Sequence, residues 1–446
     1  MWLIYELLYL VGWLVYLPKA LWRRRLPHRG WSMRLGRYPQ DVAQRVQGRA
    51  TIWVHAVSVG EVLAAQPLIQ ALATRDAQQP IVLSTITPGG FAVARQALGE
   101  SVVPVYFPLD LRGCVRRAFG MMHPHLLLLM ESELWPMVID VAGRQQVPVI
   151  VLNGRVSPRA FRRAQRIRPW LQRGLHTVAR FLMQTQEDAD RLIRLGAPRE
   201  CVQVLGNLKW EASLCRRPSP EDLQDAARHL GLNGSEPLLV AGSTHRGEEA
   251  VLVEGLRHLR AARPSLRLLL APRHLERVAE VEGLIRQAGL TPRRVCQPGA
   301  QQGWDVGIVD TFGQLPRYYG LATVAVVGGS LIPHGGQNPL EPASLGKPIV
   351  FGPSMHNFAQ IAQQLLAHRA AVQVRSGAEL IPTLEELLAH PDQAGAMGAC
   401  ALQLIERSRG ACQRTLDALA PLLPRESQSA TVHQAPSTKQ QAPSNK

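Results

Sequence analysis

The chain has 446 residues, with 50 Lys+Arg against 34 Asp+Glu and a formal charge of +16. That length exceeds one compact core and predicts two or three domains, and the basic balance favours an anionic partner, either nucleic acid or acidic lipid. Aromatic residues are only 5% of the chain and nowhere interleave with basic ones as a single-strand binding groove requires, so nucleic acid is set aside.

The first predicted element is apolar. Trp2 to Leu17 is broken only by Glu6 and Gly12, and Trp2, Tyr5, Tyr9, Trp13, Tyr16 and Trp22 lie along it. A basic segment follows, with Lys19, Arg23, Arg24, Arg25, Arg29, Arg34, Arg37, Arg45 and Arg49 against the single acid Asp41. Positive charge after the apolar run is the reverse of a signal peptide, and no small-residue cleavage site appears. The run is marginal for a bilayer span and suits either a short span or an in-plane helix, with a buried core helix as the alternative. Residues 1–22 are read as a membrane-anchor helix, with the arginines and the bulk of the chain on the cytoplasmic face.

From Thr51 the pattern alternates. Strands are predicted at 52–57, 81–86, 102–106, 125–130, 147–152, 181–184 and, shorter, 202–205, with helices at 62–74, 91–98 and 134–145 between them. A proline-rich break at Leu214–Pro220 is read as a linker, after which strands at 238–240, 266–271, 306–309, 324–327 and 349–352 alternate with helices at 248–262, 275–288 and 357–368. This is an α/β chain of two Rossmann-like domains, 23–215 and 220–423, each a doubly wound parallel sheet. Two such halves joined once would face each other across a cleft. Residues 424–446, rich in Ser, Gln, Pro and Ala, are expected to be disordered. The six cysteines show no C-x-x-C pair and no zinc spacing, so they read as reduced thiols in a cytosolic compartment.

Candidate chemistry lies at strand ends. The first strand runs into His55-Ala56-Val57-Ser58-Val59-Gly60-Glu61, where Glu61 is either a helix-end stabiliser or a general base. The fourth runs into Met130-Glu131-Ser132-Glu133, placing a second carboxylate at the same edge. Asn153-Gly154-Arg155-Val156-Ser157-Pro158-Arg159 opens an arginine-rich helix suited to an acidic lipid headgroup, and Lys209 stands near the linker. In the second half, loops carrying Ser243, Pro272-Arg273, Phe312-Gly313-Gln314 and Gly335-Gly336-Gln337-Asn338-Pro339-Leu340-Glu341-Pro342 converge on one edge. Together they describe a nucleotide site, with phosphate on hydroxyls, amides and Arg273, and ribose on Glu341. No G-x-x-x-x-G-K-[ST] or G-x-G-x-x-G fingerprint occurs, which disfavours ATPase and dehydrogenase chemistry. Asp188-Ala189-Asp190 falls within a helical run that turns its aspartates to different faces, so it is rejected as a metal site.

Taken in order, these motifs resemble the 3-deoxy-D-manno-octulosonic acid (Kdo) transferases of lipopolysaccharide assembly in Gram-negative cells, from the amino terminus to about residue 423. The resemblance implies a GT-B fold and inverting, metal-independent transfer of Kdo from CMP-Kdo to the tetraacylated, bisphosphorylated lipid A precursor (lipid IVA) at the inner membrane, with no cofactor. It implies Glu61 as general base and Glu131 and Lys209 as transition-state stabilisers. CMP contacts would come from Pro272, Arg273, Phe312, Gly313, Gln314 and Asn338 through Glu341. To these are added Ser243 on the nucleotide side and Arg155, Ser157 and Arg159 on the acceptor side. The chain departs from the family pattern at Gln337, commonly histidine, and at Gln314, often glutamate. A sugar-nucleotide 2-epimerase, a UDP-sugar transferase and a catalytically silent lipid-binding protein are the competing readings.

Overall fold

The structure is a computed structural model and describes residues 2–22, 30–46, 48–234, 236–297 and 303–423. The tail at 424–446 and the arginines at 23–25 and 29 lie outside the described residues. The chain divides into two compact units, Met1–Val204 with Arg414–Lys446, and Leu205–Gln413.

In the first unit the apolar runs become seven strands: β1 (Thr51–His55), β2 (Ile81–Thr85), β3 (Val103–Tyr106), β4 (Pro124–Met130), β5 (Val149–Gly154), β6 (Arg180–Met183) and β7 (Val202–Val204). All pair in parallel, in the order β3-β2-β1-β4-β5-β6-β7. A parallel sheet covered on both faces needs strands without alternation, and Leu126 to Leu129 are fully buried, each worth roughly 1.5–3 kcal/mol of transfer free energy. Trp53 fills the core beneath, its ring edge-on to Phe119 at 5.2 Å.

The second unit repeats this plan with β8 (Leu238–Thr244), β9 (Arg267–Pro272), β10 (Pro292–Arg294), β11 (Val306–Ile308), β12 (Val324–Val327), β13 (Ile349–Phe351) and β14 (Val372–Gln373), in the order β10-β11-β9-β8-β12-β13-β14. Again every pair is parallel. The direction of winding reverses between β1 and β4 in one sheet and between β8 and β12 in the other, the crevices where open α/β sheets take ligands.

The predicted domain bounds are corrected. The units change hands at Val204/Leu205, ahead of the proline-rich segment, because helix Leu208–Leu214 packs Trp210 into the second core with Leu340, Phe351 and Ile405. Lys209 therefore belongs to the second unit, and the chain returns to the first at Arg414. Among the described residues no helix is long and apolar enough to cross a membrane. What stands at the amino terminus is helix Trp2–Trp22, tied to the first unit by Tyr5, whose hydroxyl donates to Asp110 at 2.6 Å, and by Glu6, which accepts the Arg112 N–H at 2.6 Å. Leu7, Leu8, Leu10, Val11, Leu14 and Val15 of this helix remain exposed.

Candidate active site

At the carboxyl edge of the first sheet, helix Val59–Arg75 begins three residues earlier than the apolar period suggests, with Ser58 as its N-cap. Glu61 therefore sits in the first turn. Its Oε2 accepts the Val57 N–H at 2.9 Å and its Oε1 accepts the Ser58 hydroxyl at 3.0 Å. The helix-end role is thus real, yet each oxygen keeps a lone pair. Burial and then the Glu131 carboxylate push Glu61 up to about 7, with Glu133 acting the same way and the Val57 and Ser58 hydrogen bonds opposing. A carboxylate titrating there accepts a proton at neutral pH far better than an ordinary glutamate does.

Glu131 follows β4 in the left-handed backbone region at φ 57°, and Asn153, next to last in β5, has φ 52°. Non-glycine residues tolerate that region only where surrounding structure imposes it. Here the imposition is visible: the Glu131 N–H donates to Leu152 O at 2.8 Å, stitching the ends of β4 and β5 together. Arg155 reaches Glu131 at 3.7 Å. Ser157 caps helix Pro158–Gln165 by accepting the Ala160 N–H at 3.2 Å, and Arg159, Arg162 and Arg163 project from that helix into solvent. Asp188 is a brace rather than a ligand, accepting the Val156 N–H at 2.8 Å and so holding the loop that bears Arg155 and Ser157.

At the carboxyl edge of the second sheet, the four predicted loops follow β8, β9, β11 and β12 and so share one side. Ser243 is left-handed at φ 56°. Pro272 ends β9, and the Arg273 N–H donates to Thr244 O at 2.9 Å, bringing that loop beside β8. Phe312 is 66% exposed on the turn before Gly313, and the Gln314 side-chain oxygen holds Arg317 at 2.8 Å. Gly335 and Gly336 have φ of 109° and 74°, and a Cβ on either would collide with Asn357 or Met355, so both glycines are obligatory. Asn338 accepts the Leu340 N–H at 3.1 Å. The helix that Pro339 opens is Leu340–Ser344, with Glu341 in its first turn. Lys209 lies 5.7 Å above the Phe358 ring. Among the described residues no group of three His, Cys, Asp or Glu is placed to hold a metal ion.

Two side chains that hold these loops escaped the sequence reading. Arg216, in the proline-rich segment, donates to Glu341 Oε1 at 2.8 Å and leaves Oε2 available. Glu248, only 1% exposed, accepts the N–H groups of His245 (2.9 Å), Gly329 (2.7 Å), Ser330 (3.0 Å) and Leu331 (3.0 Å), pinning the loops after β8 and β12. The neighbouring acids Glu248-Glu249 at a helix start were its one sequence signal.

Two doubly wound parallel α/β units define a GT-B-like fold. The fold matches UDP-GlcNAc 2-epimerase from Neisseria meningitidis with a TM-score of 0.55 over 83% of this chain and 100% of that chain, at 12% identity. Sequence is more specific. Residues 29–212 match the family model described as 3-deoxy-D-manno-octulosonic-acid transferase (kdotransferase). The chain is 33% identical over 406 residues to the 3-deoxy-D-manno-octulosonic acid transferase of Haemophilus influenzae, covering 88% of this chain and 94% of that one. It is 36% identical over 381 residues to the transferase of the same name from Bordetella pertussis, covering 83% and 87%. The chain belongs to the Kdo transferase family of lipopolysaccharide biosynthesis.

Proposed function

We propose that this protein transfers Kdo from CMP-Kdo to lipid IVA with inversion, working at the cytoplasmic face of the inner membrane. The observation that carries this reading is the Glu61 carboxyl, anchored at the sheet edge and pushed up to about 7. Glu61 removes the proton from a sugar hydroxyl of the acceptor as that oxygen bonds to the anomeric carbon of Kdo. The bond from that carbon to the phosphate oxygen breaks, its electron pair leaves with CMP, and attack from the face opposite the leaving group inverts the configuration. Glu131 and Lys209 stabilise the charge that develops, and the step as written asks for no metal or cofactor.

On the donor side, Ser243, Pro272, Arg273, Phe312, Gly313, Gln314 and Asn338 to Glu341 hold the CMP. Arg216 occupies one oxygen of Glu341, and the other takes the ribose hydroxyls. On the acceptor side, Arg155, Ser157 and Arg159 meet the acidic headgroup. The exposed leucines and valines of helix Trp2–Trp22 suit a helix lying in the membrane interface beside acyl chains.

The test is incubation of the purified chain with CMP-Kdo and lipid IVA, followed by mass spectrometry of the lipid. Addition of one or more Kdo masses is expected, and an unmodified lipid would overturn the reading.

A further inference from the structure

At the winding reversal of the second sheet, β8 lies between β9 and β12, and the loop after each strand contributes one histidine: His245, His274 and His334. The His245 residue is 7% exposed and forms the floor. Its ring centroid is 3.9 Å from that of His334, tilted by 36°, and 5.7 Å from that of His274, nearly edge-on at 77°. His274 and His334 are exposed, so they stand as walls. The arrangement is held from below, because the Glu248 carboxylate binds the N–H groups of both His245 and Gly329. A Cβ on Gly329 would already lie 3.3 Å from ring carbons of His245 and His334.

The cluster is also tied to the loop after β12, where the Gln337 side-chain nitrogen lies 3.2 Å from His245 Nε2. Two arginines and two further imidazoles stand nearby. Arg273 and His274 come from the loop after β9, His334 from the loop after β12, and Arg277 from the turn beyond. The acids around them are already engaged: Glu248 on four amides, Glu249 on Arg277 at 2.8 Å and Thr244 at 3.0 Å, and Glu276 at 3.6 Å from His274.

We propose that these three imidazoles, with Arg273, form the seat for an oxyanion of the donor, phosphate or sugar carboxylate, and that His334 closes it. The inference rests on the donor reading above and deepens it. A buried ring beside two exposed ones, with Arg273 on the adjoining loop, offers N–H donors and a cation to an oxyanion. Burial, then His334, His274, Arg273 and Arg277, push free His245 down to about 4. An anion among the rings favours their charged forms, so binding takes up protons and tightens as pH falls through the liganded pKa values.

The experiment is calorimetry on the full chain with cytidine, CMP and CMP-Kdo, between about pH 7 and 8.5, where a phosphate monoester stays a dianion. Two buffers of different ionisation enthalpy report the protons taken up. His334→Ala should weaken CMP about tenfold, the worth of one charge-assisted hydrogen bond, with less proton uptake and cytidine affinity kept within about twofold. His274→Ala should act in the same direction. Loss confined to CMP-Kdo would identify the carboxylate as occupant. Unchanged affinity and proton uptake for CMP and CMP-Kdo in both variants would overturn the seat, as would an equal loss for cytidine. A wild-type chain that binds no cytidine ligand would sink the donor reading itself, and the seat with it.

Discussion

Along the first sheet, the residues following β1 and β4 are Glu61, Glu131 and Glu133, and burial with mutual repulsion drives the Glu61 carboxyl up to about 7. Along the second, the residues following β8, β9 and β12 include His245, Arg273, His274 and His334, and the same two forces drive His245 down to about 4. In both sheets the first strand in chain order, β1 or β8, is flanked on both sides by later ones. The chemistry therefore comes from what each edge carries rather than from the fold. Crowding like groups disfavours charge at each edge, so the Glu61 carboxylate binds a proton more tightly and the His245 ring binds one less tightly.

The comparison breaks most sharply at Glu61. Glu61→Gln should reduce Kdo transfer by about a thousandfold while CMP affinity stays within about twofold, measured by lipid mass spectrometry and calorimetry. Turnover like the wild type would remove Glu61 as the base. The converse change, Arg273→Ala, should weaken CMP by roughly tenfold to a hundredfold with a smaller effect on turnover at saturating donor. Equal CMP affinity would take Arg273 out of the site.

Two smaller effects sharpen the picture. Arg216→Ala should cost about fivefold in CMP affinity through lost orientation of Glu341. That penalty should vanish in a Glu341→Gln background and for a ligand lacking ribose hydroxyls, so its persistence in either would refute the coupling. The pH profile gives the smallest shift. Transfer should rise with pH through about 7 as Glu61 deprotonates, and Glu131→Gln, which removes the second cause of the upward shift, should move that limb to lower pH. The sign for stability is opposite. Native Glu61 keeps its proton from its ordinary 4.5 up to about 7 while the unfolded chain has lost it, so stability from this group falls as pH rises across that window. Urea titrations of the wild type and Glu61→Gln across that range measure it.

Much of this was legible in the sequence because fully buried parallel strands need unbroken apolar runs, and the catalytic edges lie where those runs stop. β10 was not, since Pro292-Arg293-Arg294 reads as a loop. Its Arg293 is buried by donating to the carbonyls of Leu230 (3.2 Å) and His229 (2.6 Å), partners more than 60 residues away in the chain. The same distance hid Arg216, whose partner Glu341 lies 125 residues on. The prolines at 218 and 220 mark a turn between two helices of one unit, and proline content alone does not distinguish that from a joint between units.

Asp110 has a practical consequence. It is fully buried, takes the Tyr5 hydroxyl, and accepts the Met137 and Val138 N–H groups at 3.2 and 3.0 Å, where the helix after Glu131 begins. Anyone shortening the chain to rid it of its greasy amino terminus would strip a partner from the same carboxylate that seats the segment downstream of Glu131. A trimmed chain that dissolves well but works poorly would then report a loosened segment beside Glu131.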